Sequence, residues 1–211
     1  MARNKKISSP GRPKNSGVTS RALTSDEVKR LLTFTLHNEE RKAQAERNHV
    51  LLSFGIYTCA RISEIVGLRL RDILENGKVA TSVVFQKTKS KKSRRIPLNP
   101  ALKSLLQRFL DGSSHHNPED LNAPLFPSQK GGHLHPTAAS KLVKTLLVDA
   151  GIENAGASHV LRKTGLTMML ANGVHLRTLQ SISGHSNIST LQTYLSTTLN
   201  QVEGAINGLR L

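Results

Sequence analysis

Six residues of this 211-residue chain carry side chains suited to one reaction, and their spacing groups them. His159 and Arg162 stand three apart, so on a helix both project from one face. Arg61 sits in Thr58-Cys59-Ala60-Arg61-Ile62-Ser63-Glu64, at a predicted helix junction. Lys89 lies in a basic stretch that also holds Lys87, Lys91 and Lys92. His185 follows Gly184, a natural helix stop, and Tyr194 comes nine residues later. One continuous helix would hold His185 and Tyr194 about 13 Å apart on opposite faces. The Ser186-Asn187 turn can bring them together instead.

Two arginines, a lysine, two histidines and a tyrosine fit attack on a phosphodiester. The nonbridging oxygens gain charge in the transition state, and guanidinium groups clamp them with paired donors. A tyrosine supplies a nucleophile for a covalent intermediate. Its free pKa is about 10, so neighbouring cations must favour the phenolate. A lysine can protonate the leaving oxygen. No step requires a metal or a nucleotide.

The elements that must position these residues are mainly helical. Thr24-Ser25-Asp26-Glu27 is a capping box, followed by Val28, Leu31, Leu32 and Phe34 at helical spacing. A second helix is expected from about residue 40 to 59, with Val50, Leu51, Leu52, Phe54 and Ile56 buried. Tyr57, inside the same apolar run, is expected in the core. A third helix covers 62 to about 68. The period then changes: 79–85 and 94–98 read as strands, joined by the basic stretch 87–93 as a hairpin turn region. Helices resume at 101–110, and 111–135 is loop-like. Further helices are expected at about 137–150, 159–172, 175–183 and 188–194. Val202, Ile206 and Leu209 mark a short amphipathic helix at the end. The fold class is α+β: mainly α with a small antiparallel sheet inserted after the third helix.

Charge narrows the partners. Lys plus Arg is 30 against 14 for Asp plus Glu, a formal +16 that points to a polyanion. There is no Trp, with only two Tyr and five Phe, so stacking platforms for single strands are scarce. Duplex binding through phosphates is favoured. A hydrophobic share of 37% excludes wholly disordered and membrane-spanning classes, and no apolar run reaches the roughly 20 residues a bilayer needs. The basic N-terminus is followed by no apolar stretch and does not read as a secretory signal. The single cysteine, Cys59, excludes an internal disulfide and fits a reducing compartment. His115, His116, His133 and His135 lie in or beside a polar loop without a nearby cysteine, and no metal site is expected there.

Four segments together resemble the catalytic domain of the tyrosine site-specific recombinases, the phage-type integrases. They are TCARISEIVGLRLRDI (58–73), TKSKKSRRIPL (88–98), SHVLRKTGLTMML (158–170) and ISGHSNISTLQTYL (182–195). The resemblance spans roughly residues 22 to 200 and implies that family's DNA breaking-rejoining fold. It implies that Arg61 and Arg162 hold the scissile phosphate and that Lys89 is the general acid on the 5′ oxygen. Counting back from Pro97 selects Lys89 among its basic neighbours. His159 would be base or proton relay, His185 a hydrogen-bond donor to the phosphate, and Tyr194 the nucleophile that forms a 3′-phosphotyrosyl link. Glu64 would orient or pack near the site. No cofactor is implied. There are departures: Cys59-Ala60 stands where the family often has Gly-Leu, Lys163 where histidine is common after Arg162, and Leu-Ser-Thr where Thr-His often follows the tyrosine.

The resemblance further implies double-stranded DNA as partner, self-association as a tetramer on DNA, and an accessory DNA-bending protein. It implies a cytoplasmic, nucleoid-associated setting in a prokaryote, or coding by a virus or mobile element. Residues 1–20 carry Arg3, Lys5, Lys6, Arg12 and Lys14 without an acid and read as a basic arm. The catalytic domain is then 21–198, and 199–211 is a C-terminal helix that docks on a neighbouring protomer or in cis. About 20 residues precede the catalytic domain, so the resemblance is to a short form, similar in size to fimbrial-switch invertases. Pro10-Gly11-Arg12-Pro13-Lys14 resembles the core of minor-groove AT-hook peptides. Arg12, Lys14, Lys87, Lys91, Lys92, Arg94 and Lys163 are the expected DNA contacts. Two other readings share most features: a non-catalytic DNA-binding accessory protein of the same fold, and a type IB topoisomerase-like nicking and closing activity.

Overall fold

The computed structural model describes residues 21–38, 42–86, 93–112 and 119–192. Arg12, Lys14, Lys87, Lys89, Lys91, Lys92, His115, His116, Tyr194 and the expected C-terminal helix lie outside the described residues.

The first helix, α1 (Ser25–Leu36), begins where the sequence places it. The Thr24 hydroxyl accepts from the Glu27 N–H, and the Glu27 carboxylate reaches back to the Thr24 N–H at 2.9 Å. Arg21 pairs with the same carboxylate. The central helix α2 (Lys42–Thr58) packs against α1, α4 (Pro100–Gly112) and α6 (His159–Ala171). Val50, Leu51, Leu52 and Phe54 are fully buried, because neighbours surround this stretch on every side. Phe54 meets Phe85 and Phe126 edge to face, with ring centroids 6.4 and 6.2 Å apart.

Tyr57 corrects an expectation. It is 41% exposed rather than part of the core. It lies on the helical stripe of Val50 and Ser53, and that stripe runs past the edge of the core at the last turn of α2.

After α3 (Ile62–Val66) come two antiparallel hairpins. Strand β1 (Leu74–Glu75) pairs with β2 (Lys78–Val79) across Asn76-Gly77, both residues with positive φ. This is the two-residue turn that Asn-Gly specifies. Strand β3 (Ser82–Phe85) pairs with β4 (Arg94–Pro97), in register Val83↔Ile96 and Phe85↔Arg94. The expected run 79–85 is therefore two strands, broken at residues 80 and 81. The loop before α5 (Pro136–Asp149) is stitched to the chain after α3 by the Leu125 N–H donating to Leu68 O at 2.9 Å. There His133 Nδ1 donates to the Val66 carbonyl at 2.9 Å, and His135 caps α5.

Helices α2 and α6 cross on glycines. A Cβ on Gly165 would lie 2.1 Å from the Ile56 carbonyl oxygen and 2.7 Å from Cys59 Sγ; one on Gly55 would lie 2.9 Å from Leu161 Cδ1. Only the absence of those atoms lets the backbones approach. Beyond the crossing, α7 (Leu176–Ser183) and α8 (Ser189–Gln192) cover a small apolar cluster of Cys59, Leu166, Leu179 and Leu191.

Candidate active site

The site lies where the end of α2, the start of α3, the face of α6 and the turn after α7 converge. Its floor is Arg162, on α6 and only 2% exposed. Its Nη1 donates to the Cys59 carbonyl at 2.7 Å, and its Nη2 to the Ser183 carbonyl at 2.8 Å. Each carbonyl is aimed by local backbone. Cys59 leaves α2 with φ +51°, a left-handed conformation uncommon for a side chain with a Cβ. Glycine suits that position better, which gives a physical reason for the Gly that the resemblance leads one to expect nearby. Gly184 ends α7 at φ +66°, packed against Arg94 Cδ, where an added Cβ would come within 3.3 Å. This turn delivers His185 to Arg162. The imidazole Nε2 and Nδ1 lie 3.1 and 3.3 Å from Arg162 Nη2, and Nδ1 is 2.7 Å from Ser183 Oγ.

Arg61 caps α3, and the Glu64 carboxylate accepts its backbone N–H at 2.7 Å. The Arg61 side chain is 40% exposed and among the described residues meets Glu64 only at 3.4 Å, which leaves its guanidinium open to a ligand. Glu64 is held below the usual carboxylate range. Burial alone would raise it, but the Arg94 hydrogen bonds, the Arg61 N–H and both positive charges outweigh burial.

Arg94 corrects a second expectation. Rather than facing outward to meet DNA, its side chain is 9% exposed. Nη1 and Nη2 fork onto Glu64 at 2.9 and 2.7 Å, Nε donates to the Ile182 carbonyl at 2.9 Å, and the guanidinium stacks 4.7 Å from the Phe85 ring centroid. The sequence carries part of this: alternation separates the two neighbouring arginines, but nothing near them names Glu64 as the partner. Neighbouring residues in a strand face opposite ways, so Arg94 and Arg95 cannot share one environment. Arg95 is the exposed member and donates to Ser82 Oγ at 2.9 Å. Lys163 is half-buried on α6, about 100° around the helix from Arg162.

Cations dominate the electrostatics. The His185 imidazole is pushed down to about 4, first by burial and then by the charges of Arg162, Arg61, His159 and Arg94. His159 is lowered by burial, Arg162 and Arg61. Arg162 itself is lowered to about 10 by burial and by Arg61, with Glu64 opposing. Both histidines are thus neutral at pH 7, and the one nearest Arg162 has a lone pair to offer it. A stability prediction follows. Unfolded His185 takes up its proton near 6.5, but the folded residue only near 4, so the unfolded state binds more protons between those values. Its contribution to stability is full above pH 6.5 and is lost as pH falls toward 4; His159 acts with the same sign. Thermal unfolding should show Tm falling across this window, with a shallower fall in His185→Asn. An equally steep fall in that variant would assign the pH dependence to other groups.

The structure therefore brings together Arg61, His159, Arg162 and His185, from segments far apart in sequence, around the Glu64–Arg94 pair. Among the described residues no three His, Cys, Asp or Glu side chains form a group that could hold a metal ion, and no helix is long and apolar enough to cross a membrane.

Comparison with known proteins bears on the fold and the family. Residues 21–200 match the profile described as the Phage integrase family. The chain is 32% identical over 190 residues to a tyrosine recombinase of Pseudothermotoga lettingae, covering 89% of this chain and 60% of the relative. It superposes on the crystal structure of XerA recombinase with a TM-score of 0.71 at 23% identity, covering 90% of this chain and 66% of that one. On XerH site-specific recombinase bound to its difH substrate, the TM-score is 0.69 at 24% identity, covering 92% and 56%. The chain thus spans about 60% of the length of the proteins it matches. With the fold and the matched profile in agreement, the chain belongs to the phage integrase family.

Proposed function

We propose that this protein cuts and rejoins duplex DNA at specific sites through a 3′-phosphotyrosyl intermediate at Tyr194. The observation that carries the reading is the convergence of Arg61, His159, Arg162 and His185 into one cationic cradle. Tyr194 Oη attacks phosphorus and passes its proton to His159. The bond from phosphorus to the 5′ oxygen breaks as Lys89 protonates that oxygen. Arg61, with its open guanidinium, Arg162 and the His185 ring hold the nonbridging oxygens as they gain charge. A 5′-hydroxyl from a partner strand then reverses the step. The tyrosyl ester conserves the phosphoester bond, so the cycle needs no ATP and no cofactor.

Residues 21–198 form the catalytic unit in this reading. Arg12 and Lys14 in the 1–20 arm, with Lys87, Lys91, Lys92 and Lys163, contact DNA, while 199–211 docks on a neighbouring protomer of a tetramer. An accessory DNA-bending protein assists. The net charge of +16 and the DNA-bound state of the XerH neighbour support the choice of partner.

The test uses nicked duplexes of sequence flanking the protein's own gene, without added metal, and scores a denaturation-resistant protein–DNA adduct. The exposure of Tyr57 makes it the necessary control, since the chain has two tyrosines. Parent and Tyr57→Phe should form the adduct, and Tyr194→Phe should not. An adduct that persists in Tyr194→Phe moves the nucleophile elsewhere.

A further inference from the structure

Arg61 and His185 come from distant parts of the chain, yet one side chain touches the supports of both. Arg94 forks onto Glu64, the carboxylate that holds the Arg61 N–H, and its Nε reaches the Ile182 carbonyl in the last turn of α7. Its aliphatic stem lies against Gly184, the residue that turns the chain into His185. Phe85 closes the other face. All three guanidinium nitrogens are engaged, and the side chain is 9% exposed. A counter-charge for Glu64 needs only the fork; the bond to α7 and the contact with Gly184 go beyond that.

We propose that Arg94 is a positioning residue that fixes Arg61 and His185 relative to each other, so that both meet one phosphate without further movement. The inference rests on the function proposed above. Lysine cannot replace it, because a single ammonium cannot span a carboxylate fork and a carbonyl on another element. A displacement of about 1 Å between groups that must act together can cost about a hundredfold in rate.

The test has two arms, both on the full chain. The first is without DNA. Arg94→Lys keeps the positive charge, so the groups acting on His185, namely Arg162, Arg61, His159 and the cation at position 94, are all retained. Amide hydrogen exchange over residues 182–185 should quicken relative to the parent, with α1 unchanged, and the His185 imidazole should titrate at higher pH by NMR. The second arm uses the nicked duplexes described above. Arg94→Lys should slow adduct formation at saturating DNA by about a hundredfold and leave the half-saturating DNA concentration unchanged. The double variant Glu64→Gln/Arg94→Gln, which removes both buried charges, should regain thermal stability but not rate. Parental exchange and titration in Arg94→Lys overturn the proposal, as does parental rate in the double variant, which would make Arg94 a counter-charge only. A parent that forms no adduct overturns the proposed function, while the exchange arm still decides whether Arg94 holds the turn before His185.

Discussion

Arg162→Ala is expected to lose activity and stability together, whereas Arg61→Ala loses activity alone. The difference follows from burial. Arg162 is 2% exposed and satisfies the carbonyls of Cys59 and Ser183, which have little access to water once it is gone. Leaving two buried acceptors unpaired costs roughly 3 kcal/mol. For a chain of this size that is about 6–12 °C in Tm. Arg61 keeps its backbone bond to Glu64 whatever its side chain, and the side chain is 40% exposed with one long contact among the described residues. Its removal also relieves repulsion with Arg162. The stability change should stay within about 0.5 kcal/mol. Each loss should slow adduct formation by about 10²–10³, the usual consequence of removing one donor to a developing oxyanion. Thermal unfolding beside the adduct assay checks this. An Arg61→Ala protein as unstable as Arg162→Ala would show that the open guanidinium is a structural strut after all.

The second large effect is expected at Gly165. Alanine normally favours a helix interior over glycine by about 1 kcal/mol. Here the added carbon would lie 2.1 Å from the Ile56 carbonyl oxygen, a backbone atom that cannot rotate away. Helices α2 and α6 must part, which should reverse the gain and leave a net loss of about 2–4 kcal/mol, at the upper end for overpacking. Gly55→Ala is the matched control. Its new carbon meets Leu161 Cδ1 at 2.9 Å, which can swing aside, and Leu161 Cβ at 3.2 Å, which needs only a small shift, so a smaller net loss of about 1 kcal/mol is expected. Denaturant midpoints compare the two directly. Gly165→Ala should also slow adduct formation, because a displaced Cys59 carbonyl releases one edge of Arg162. Equal midpoints for the two variants would mean that the crossing yields easily.

What the sequence disclosed depended on how local each signal was. The Thr24–Glu27 capping box and the apolar spacing of α1 are written within a few residues, and that helix begins where they place it. The His159–Arg162 spacing works because a helix enforces it. The β1–β2 hairpin was equally local, carried by Asn76-Gly77 between Leu74 and Val79, but its strands are two residues long and too short for alternation to register. Tyr57 and Arg94 were misjudged for a different reason. The apolar run says that α2 is buried but not where the core ends, and a basic strand says nothing of the carboxylate waiting 30 residues back in the chain. The left-handed turn at Cys59 was also hidden, since no glycine marks it.

Cys59 has a further consequence. It is the sole thiol of the chain, wholly buried, and burial pushes it up to about 12 despite the opposing charges of Arg162 and Arg94. A thiolate at neutral pH is therefore confined to moments when α2 and α6 separate. Labelling kinetics with a thiol reagent would count those moments in the unaltered protein, with no probe to introduce. The reporter sits directly beneath the carbonyl that holds Arg162. Breathing of the ground under the phosphate cradle can thus be timed, and a bound duplex that quiets it would reveal itself by slowing a reaction it never touches.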